Sequence, residues 1–179
     1  MGQNGKHKSY GKLERGTQKD LLVASVDALF KNYNDRHKED VIVFHTGDFN
    51  ATDMGDVAKG RPEVQFHLLE DGGEWWSLPK NIPEESKSTW HYYTKGKKPY
   101  FSEGYRHMIM WYSSRIWKYL ERAGYAWVMR MDDDSFLRSE VKHNIFERMR
   151  KGRFLYGFRQ IACEAGTTPG FMAGPFTIF

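Results

Sequence analysis

Three consecutive aspartates, Asp132, Asp133 and Asp134, are the residues best placed to do chemistry, because they close the apolar run Tyr125-Ala126-Trp127-Val128-Met129-Arg130-Met131. In α/β sheets ligands bind just outside the carboxyl ends of strands. Read as an extended segment, the run puts Asp132 and Asp134 on one face and Asp133 on the other, since successive strand side chains alternate. Two convergent carboxylates are hard oxygen donors suited to Mn²⁺ or Mg²⁺, and a cation held there can neutralise charge growing on a departing diphosphate. The plainer reading of the same residues is an acidic turn that caps the next segment or faces water. Arg130 precedes Asp132 by two residues and shares its face, so it is placed to contact a phosphate or to pair with that carboxylate. Merely balancing three negative charges would explain it as well.

Other residues offer weaker chemistry. Tyr105, Arg106 and His107 open a helical stretch, where free backbone N–H groups and the helix dipole favour an anion, although a bare surface helix start accounts for them equally. His107 taken alone reads as a surface or capping histidine rather than a ligand. Trp75, Trp76, Trp90, Tyr92 and Tyr93 suit either a stacking platform for sugar rings or a base, or a set of pins that hold a loop to the body. Asp48 and Asp53 are candidate partners for a second metal. Asn50-Ala51-Thr52 is a glycosylation sequon, compatible with a secretory lumen.

The elements that must position these residues follow from periodicity. Residues 1–16, with Gly2, Gly5, Gly11 and Gly16 among Lys, His and Asn, read as a flexible tail. From Thr17, a plausible N-cap, Leu22, Val26, Leu29 and Tyr33 fall at helical spacing as far as Arg36. Val41-Ile42-Val43-Phe44 reads as a buried strand of a parallel sheet, and Glu63 to Leu69 as a weaker strand. Between Glu70 and Ser102 no period holds, which predicts a long loop. Met108, Ile109, Tyr112, Ile116, Tyr119 and Leu120 form the stripe of a helix from Tyr105 to Ala123, with Gly124 at its C′ position. The run ending at Met131 predicts a strand, Ser139 to Lys151 a helix, and Phe154 to Phe158 another strand. Strand and helix in alternation argue for an α/β layer structure, a mostly parallel sheet flanked by helices.

Composition bounds the possibilities. The 179 residues make one domain's length, 40% of them hydrophobic and 16% aromatic, enough to bury a core and exclude wholesale disorder. A single cysteine excludes an internal disulfide framework. No apolar run reaches the ~18 residues of a membrane span, and no targeting signal is present, so a cytoplasmic location stays open. Gly2 begins a myristoylation pattern that Lys6 breaks. A net charge of +4 suits an anionic ligand and is no footprint for nucleic acid.

Tyr105-Arg106-His107-Met108, then Trp127 through Asp134, then Tyr156-Gly157-Phe158 resemble the fungal α-1,2-mannosyltransferase family. That family carries Tyr-Arg-His-Met on a helix, Arg-Val-Glu-Pro-Asp after a strand and Tyr-Gly-Phe on the next strand. The pattern fits in order from Tyr105 to Phe158, with Phe146 and Met149 also at family positions, and more loosely through Glu164 and Thr168-Pro169. The resemblance implies a GT-A-like nucleotide-sugar-binding domain over residues 17–179, incomplete at its C-terminus and binding Mn²⁺ (or Mg²⁺). It implies a GDP-mannose donor, transfer of mannose with retention, a glycan, glycoprotein or glycolipid acceptor, and Golgi residence. Asp132 and Asp134 would hold the metal, and Tyr105, Arg106, Arg130 and Asp132 would bind the nucleotide sugar. The family's proposed nucleophilic glutamate and a histidine metal ligand lie in a later part, and within this sequence Glu164 would be the acid nearest the reacting sugar. Asp133 stands where the family has Pro, which brings the segment closer to the general Asp-x-Asp glycosyltransferase motif. Two other readings stay open at this point: a non-catalytic nucleotide-sugar-binding domain of the same fold, and a carboxylate-metal phosphoryl-transfer or nuclease domain.

Overall fold

The computed structural model describes residues 18–83, 85 and 103–158. The expected tail over 1–16, the Thr17 cap, Trp90, Tyr92, Tyr93 and Glu164 lie outside the described residues. The chain divides into two compact units, with the division between Lys142 and His143.

In the first unit, helix α1 runs over Gln18–Leu29, widens to π-helical bonding over Phe30–Asn34 and ends with Asp35–His37. Lys38 leaves it in the left-handed conformation at φ 57°. The Asn34 amide secures the exit, donating to the Glu39 carbonyl at 2.8 Å and accepting from the Glu39 N–H at 2.9 Å. Strand β1, Val41–His45, comes next, then helix α2, Ala51–Ala58, and strand β2, Val64–Leu68. Helix α2 was not legible from apolar spacing; its signal is a reciprocal cap, in which Asn50 accepts from the Asp53 N–H and Asp53 accepts from the Asn50 N–H. Helix α3 runs over Glu103–Met110, passes a second π-helical turn at Trp111–Arg115 and ends with Ile116–Arg122. Gly124, at φ 84°, occupies the expected C′ position. Its N–H donates to Glu121 and that of Tyr125 to Leu120, satisfying carbonyls the helix leaves open.

β1 and β2 pair in parallel, Val41 opposite Val64 through His45 opposite Leu68, which agrees with the parallel-sheet strand expected at Val41–Phe44. Alternation then divides the core into two layers. Val41, Val43, Val64 and Phe66 pack with Val26 and Phe30 of α1 and Val57 of α2. Ile42 and Phe44 face the other way, onto Trp111, Ile116 and Leu120 of α3. Each fully buried large side chain, Phe30 and Trp111 among them, contributes about 1.5–3 kcal/mol. The result is a helix–sheet–helix arrangement around a small parallel sheet, an α/β fold.

Two expected strands take a different form. Residues 127–132 and 156–158 form no strand and join no ladder among the described residues. The second unit, described by itself, holds helix α4 over Ile145–Gly152, capped by the Asn144 side chain accepting from the Glu147 N–H at 2.8 Å. It begins six residues later than Ser139, because residues 135–141 are drawn into hydrogen bonds with α1 instead. Beyond α4, Leu155 is 94% and Tyr156 78% exposed.

Candidate functional site

The acidic segment is a turn at the end of the apolar run 125–131. The Tyr125 hydroxyl donates to Asp40 Oδ2 at 2.7 Å, which pins the start of the run beside the start of β1. At the other end the Ser135 N–H donates to the Asp132 carbonyl at 2.9 Å, with Asp133 and Asp134 as the central turn residues. A chain reversal at Asp133 and Asp134 replaces the strand alternation that would put Asp132 and Asp134 on one face. After the turn the chain returns along α1. Ser25 Oγ donates to the Ser135 carbonyl, Asn32 Nδ2 to the Leu137 carbonyl at 2.6 Å, and the Val141 N–H to the Asn32 carbonyl at 2.8 Å. Arg36 closes the series with an ion pair to Glu140.

Arg130 takes the role of carboxylate partner. Its Nε and Nη2 both donate to Asp132 Oδ1, at 3.2 and 2.9 Å, leaving Oδ2 outside the ion pair. Both side chains are about half exposed, 55% and 56%, so water screens the pair and it contributes at most about 1 kcal/mol. The guanidinium also lies over the ring of Tyr112, 4.0 Å from its centroid, where cation–π attraction adds about 0.5–1 kcal/mol. Burial raises the Tyr112 phenol above its ordinary value; the charges of Asp132 and Asp133 push the same way and Arg130 opposes them. Tyr112, Arg130, Asp132 and Asp133 thus share one electrostatic neighbourhood.

The remaining expected residues divide by environment. Tyr105 is exposed and Arg106 half-buried in the first turn of α3, about two turns before Tyr112. His107 is buried, its ring edge-on to Trp76 at 5.8 Å, with Nδ1 3.9 Å from Asp71 Oδ1. It packs as part of the body rather than as a surface residue. Trp75 and Trp76 pack onto the α3 layer, so these two pin the loop. Asp53 serves as the α2 cap and pairs with Lys19 at 2.8 Å, which holds its carboxyl below the usual range. Asp48 Oδ1 accepts from the Thr46 N–H at 3.0 Å, a local turn contact. Both line an open cleft of about 320 Å³ with Gln18, Lys19 and Phe49. Among the described residues no three or more His, Cys, Asp or Glu side chains gather as a metal cage. A cation held by one or two carboxylates and completed by substrate phosphates needs no such cage, and the carboxylates of the acidic turn, Asp132 exposed and Asp134 half-buried, are hard oxygen donors of that type.

Sequence reasoning missed Ser25, Asn32 and Arg36, polar residues of α1 whose importance depends on a segment about 105 residues away. Tyr112 was legible only as part of an apolar stripe.

A parallel sheet between helical layers, with an acidic turn following a run that pairs in no described ladder, defines an α/β protein. Residues 11–168 match the family described as glycolipid 2-alpha-mannosyltransferase, and the chain belongs to that family of glycosyltransferases. One relative is the glycolipid 2-alpha-mannosyltransferase of Saccharomyces cerevisiae, 30% identical over 97 residues that make up 54% of this chain and 22% of the relative. The match thus spans about a fifth of that relative's length. No solved structure matches the chain.

Proposed function

We propose that this chain binds a nucleotide-sugar donor and takes part in transferring a sugar, mannose from GDP-mannose, with retention, to a glycan acceptor such as a glycolipid or glycoprotein. One observation carries the reading: in a chain of a mannosyltransferase family, the acidic turn is clamped between Arg130 on one side and the α1 hydrogen bonds on the other. Asp132 and Asp134 are the residues to hold Mn²⁺ or Mg²⁺. When bound, the cation would offset the negative charge of the donor diphosphate. Arg130 orients the Asp132 carboxylate and is itself within reach of a phosphate once that pair opens. Tyr105 and Arg106 belong to the donor side, at the first turn of α3, where helix N–H groups favour an anion. Glu164 is the acid assigned to the transfer step. A lumenal, Golgi location accords with this activity and with the Asn50 sequon.

Asp134→Asn tests the assignment, because it removes a carboxylate charge at nearly constant volume. Calorimetric titration with GDP should show Mn²⁺-dependent binding in the wild type, its loss on adding EDTA, and its loss in the variant, whose circular dichroism stays that of the wild type. Equal Mn²⁺-dependent affinity in both proteins would overturn the role of Asp134. For Glu164→Gln, transfer should fall more than donor affinity, and equal loss of both would count against that role.

A further inference from the structure

Tyr112 lies outside the residues expected to bind donor or metal, yet it is the aromatic surface on which Arg130 rests. An exposed Arg–Asp pair left to itself exchanges among many rotamers, because water competes for both groups. Here the guanidinium carbon lies over the Tyr112 ring, 4.0 Å from its centroid, while Nε and Nη2 converge on Asp132 Oδ1, so one side chain is held by the ring and by the carboxylate at once. Tyr112 itself is packed against the Trp111, Ile116 and Leu120 layer, which fixes the ring to the body of the protein. It also falls within the π-helical turn Trp111–Arg115, and such single-turn insertions in helices are frequent at functional sites. The other π-helical turn, Phe30–Asn34, carries Asn32, which holds the return segment at Leu137 and Val141. The two distorted helix turns thus each present a residue that contacts the chain on one side of the reversal, Tyr112 before it and Asn32 after it.

We infer that Tyr112 is a positioning residue for the donor site: stacked beneath Arg130, it fixes the guanidinium and through it directs the Asp132 carboxylate. This rests on the role proposed for Asp132 in donor binding. The hydroxyl is not needed for it, because the ring face supplies the contact.

The test compares wild type, Tyr112→Phe, Tyr112→Leu, Arg130→Ala and the double variant Tyr112→Leu/Arg130→Ala in the full 179-residue chain. The first readout is nuclear magnetic resonance of the Arg130 side chain without nucleotide. Ring-current upfield shifts at Arg130 are expected in wild type and Tyr112→Phe and absent in Tyr112→Leu. The second is GDP affinity in Mn²⁺. Tyr112→Phe should stay within about twofold of wild type and Tyr112→Leu should weaken binding about three- to fivefold. In the Arg130→Ala background Tyr112→Leu should have no further effect, which a general loss of packing would not reproduce. Unshifted Arg130 signals in the wild type, or equal loss from Tyr112→Leu with and without Arg130, would overturn the positioning role. Absence of Mn²⁺-dependent GDP binding in the wild type, with the shifted signals present, would instead overturn the donor reading on which it rests.

Discussion

At the scale of single residues, much of the first unit is tied by contacts between a side chain and a distant stretch of backbone or carboxylate. Tyr125 and Asp40 are 85 positions apart and join the start of the apolar run to the start of β1. The hydrogen bond to the Asp40 carboxylate, with burial adding to it, pushes the Tyr125 phenol up to about 12 from an ordinary 10.0. A raised phenol favours the neutral form in the folded state, so the folded protein keeps a proton the unfolded chain gives up. Stability from this group is therefore complete below pH about 10 and lost as pH rises through about 12. Denaturant titration across that range should show the decline. Tyr125→Phe should flatten it, at a cost of only about 0.5 kcal/mol near neutral pH because the pair is exposed.

At the scale of elements, the late start of α4 has a tertiary cause. Ser139 to Lys142 has helix-forming company in Val141, Ile145, Phe146 and Met149, and the stripe they make is a fair sign of a helix. Tertiary hydrogen bonds from Asn32 and Arg36 compete for that backbone and win, so helix formation waits until the Asn144 cap. Asn32→Ala removes one of those bonds, leaving the Leu137 carbonyl without its donor. It should cost about 1–2 kcal/mol in denaturant melts. Amide exchange should quicken over residues 135–141 while β1 keeps its protection; unchanged exchange there would show that α1 does not hold the segment. The amphipathic core of α3, the C′ glycine and β1 were readable beforehand because each depends on spacing within a few turns of chain.

At the scale of the whole first unit, one small parallel sheet separates two apolar layers that share no buried residue. Substitutions on opposite faces should therefore be independent. Val26→Ala, next to the β1–β2 face, should cost about 2 kcal/mol, and Ile116→Val, on the α3 face, about 1 kcal/mol. The double variant should lose their sum within about 0.5 kcal/mol. A larger departure in a thermal or denaturant series would mean the layers are coupled through the sheet.

The division between sequence and structure tracks the range of the forces involved. Apolar alternation, helical period and the Gly124 stop are local, and the amino-acid order alone made α1, β1, β2 and α3 legible. The resemblance built on Tyr105 to Met108, Trp127 to Asp134 and Tyr156 to Phe158 also led to the family that the match over residues 11–168 establishes. Only the tertiary structure decided that the acidic segment is a turn and that α1 grips the return segment, residues 135–141. It alone placed Arg130 on Tyr112, and it kept the runs ending at Met131 and Phe158 out of any described ladder. Hydrogen bonds and stacking between residues up to 110 positions apart leave no periodic trace along the chain, and they are the forces that position this site.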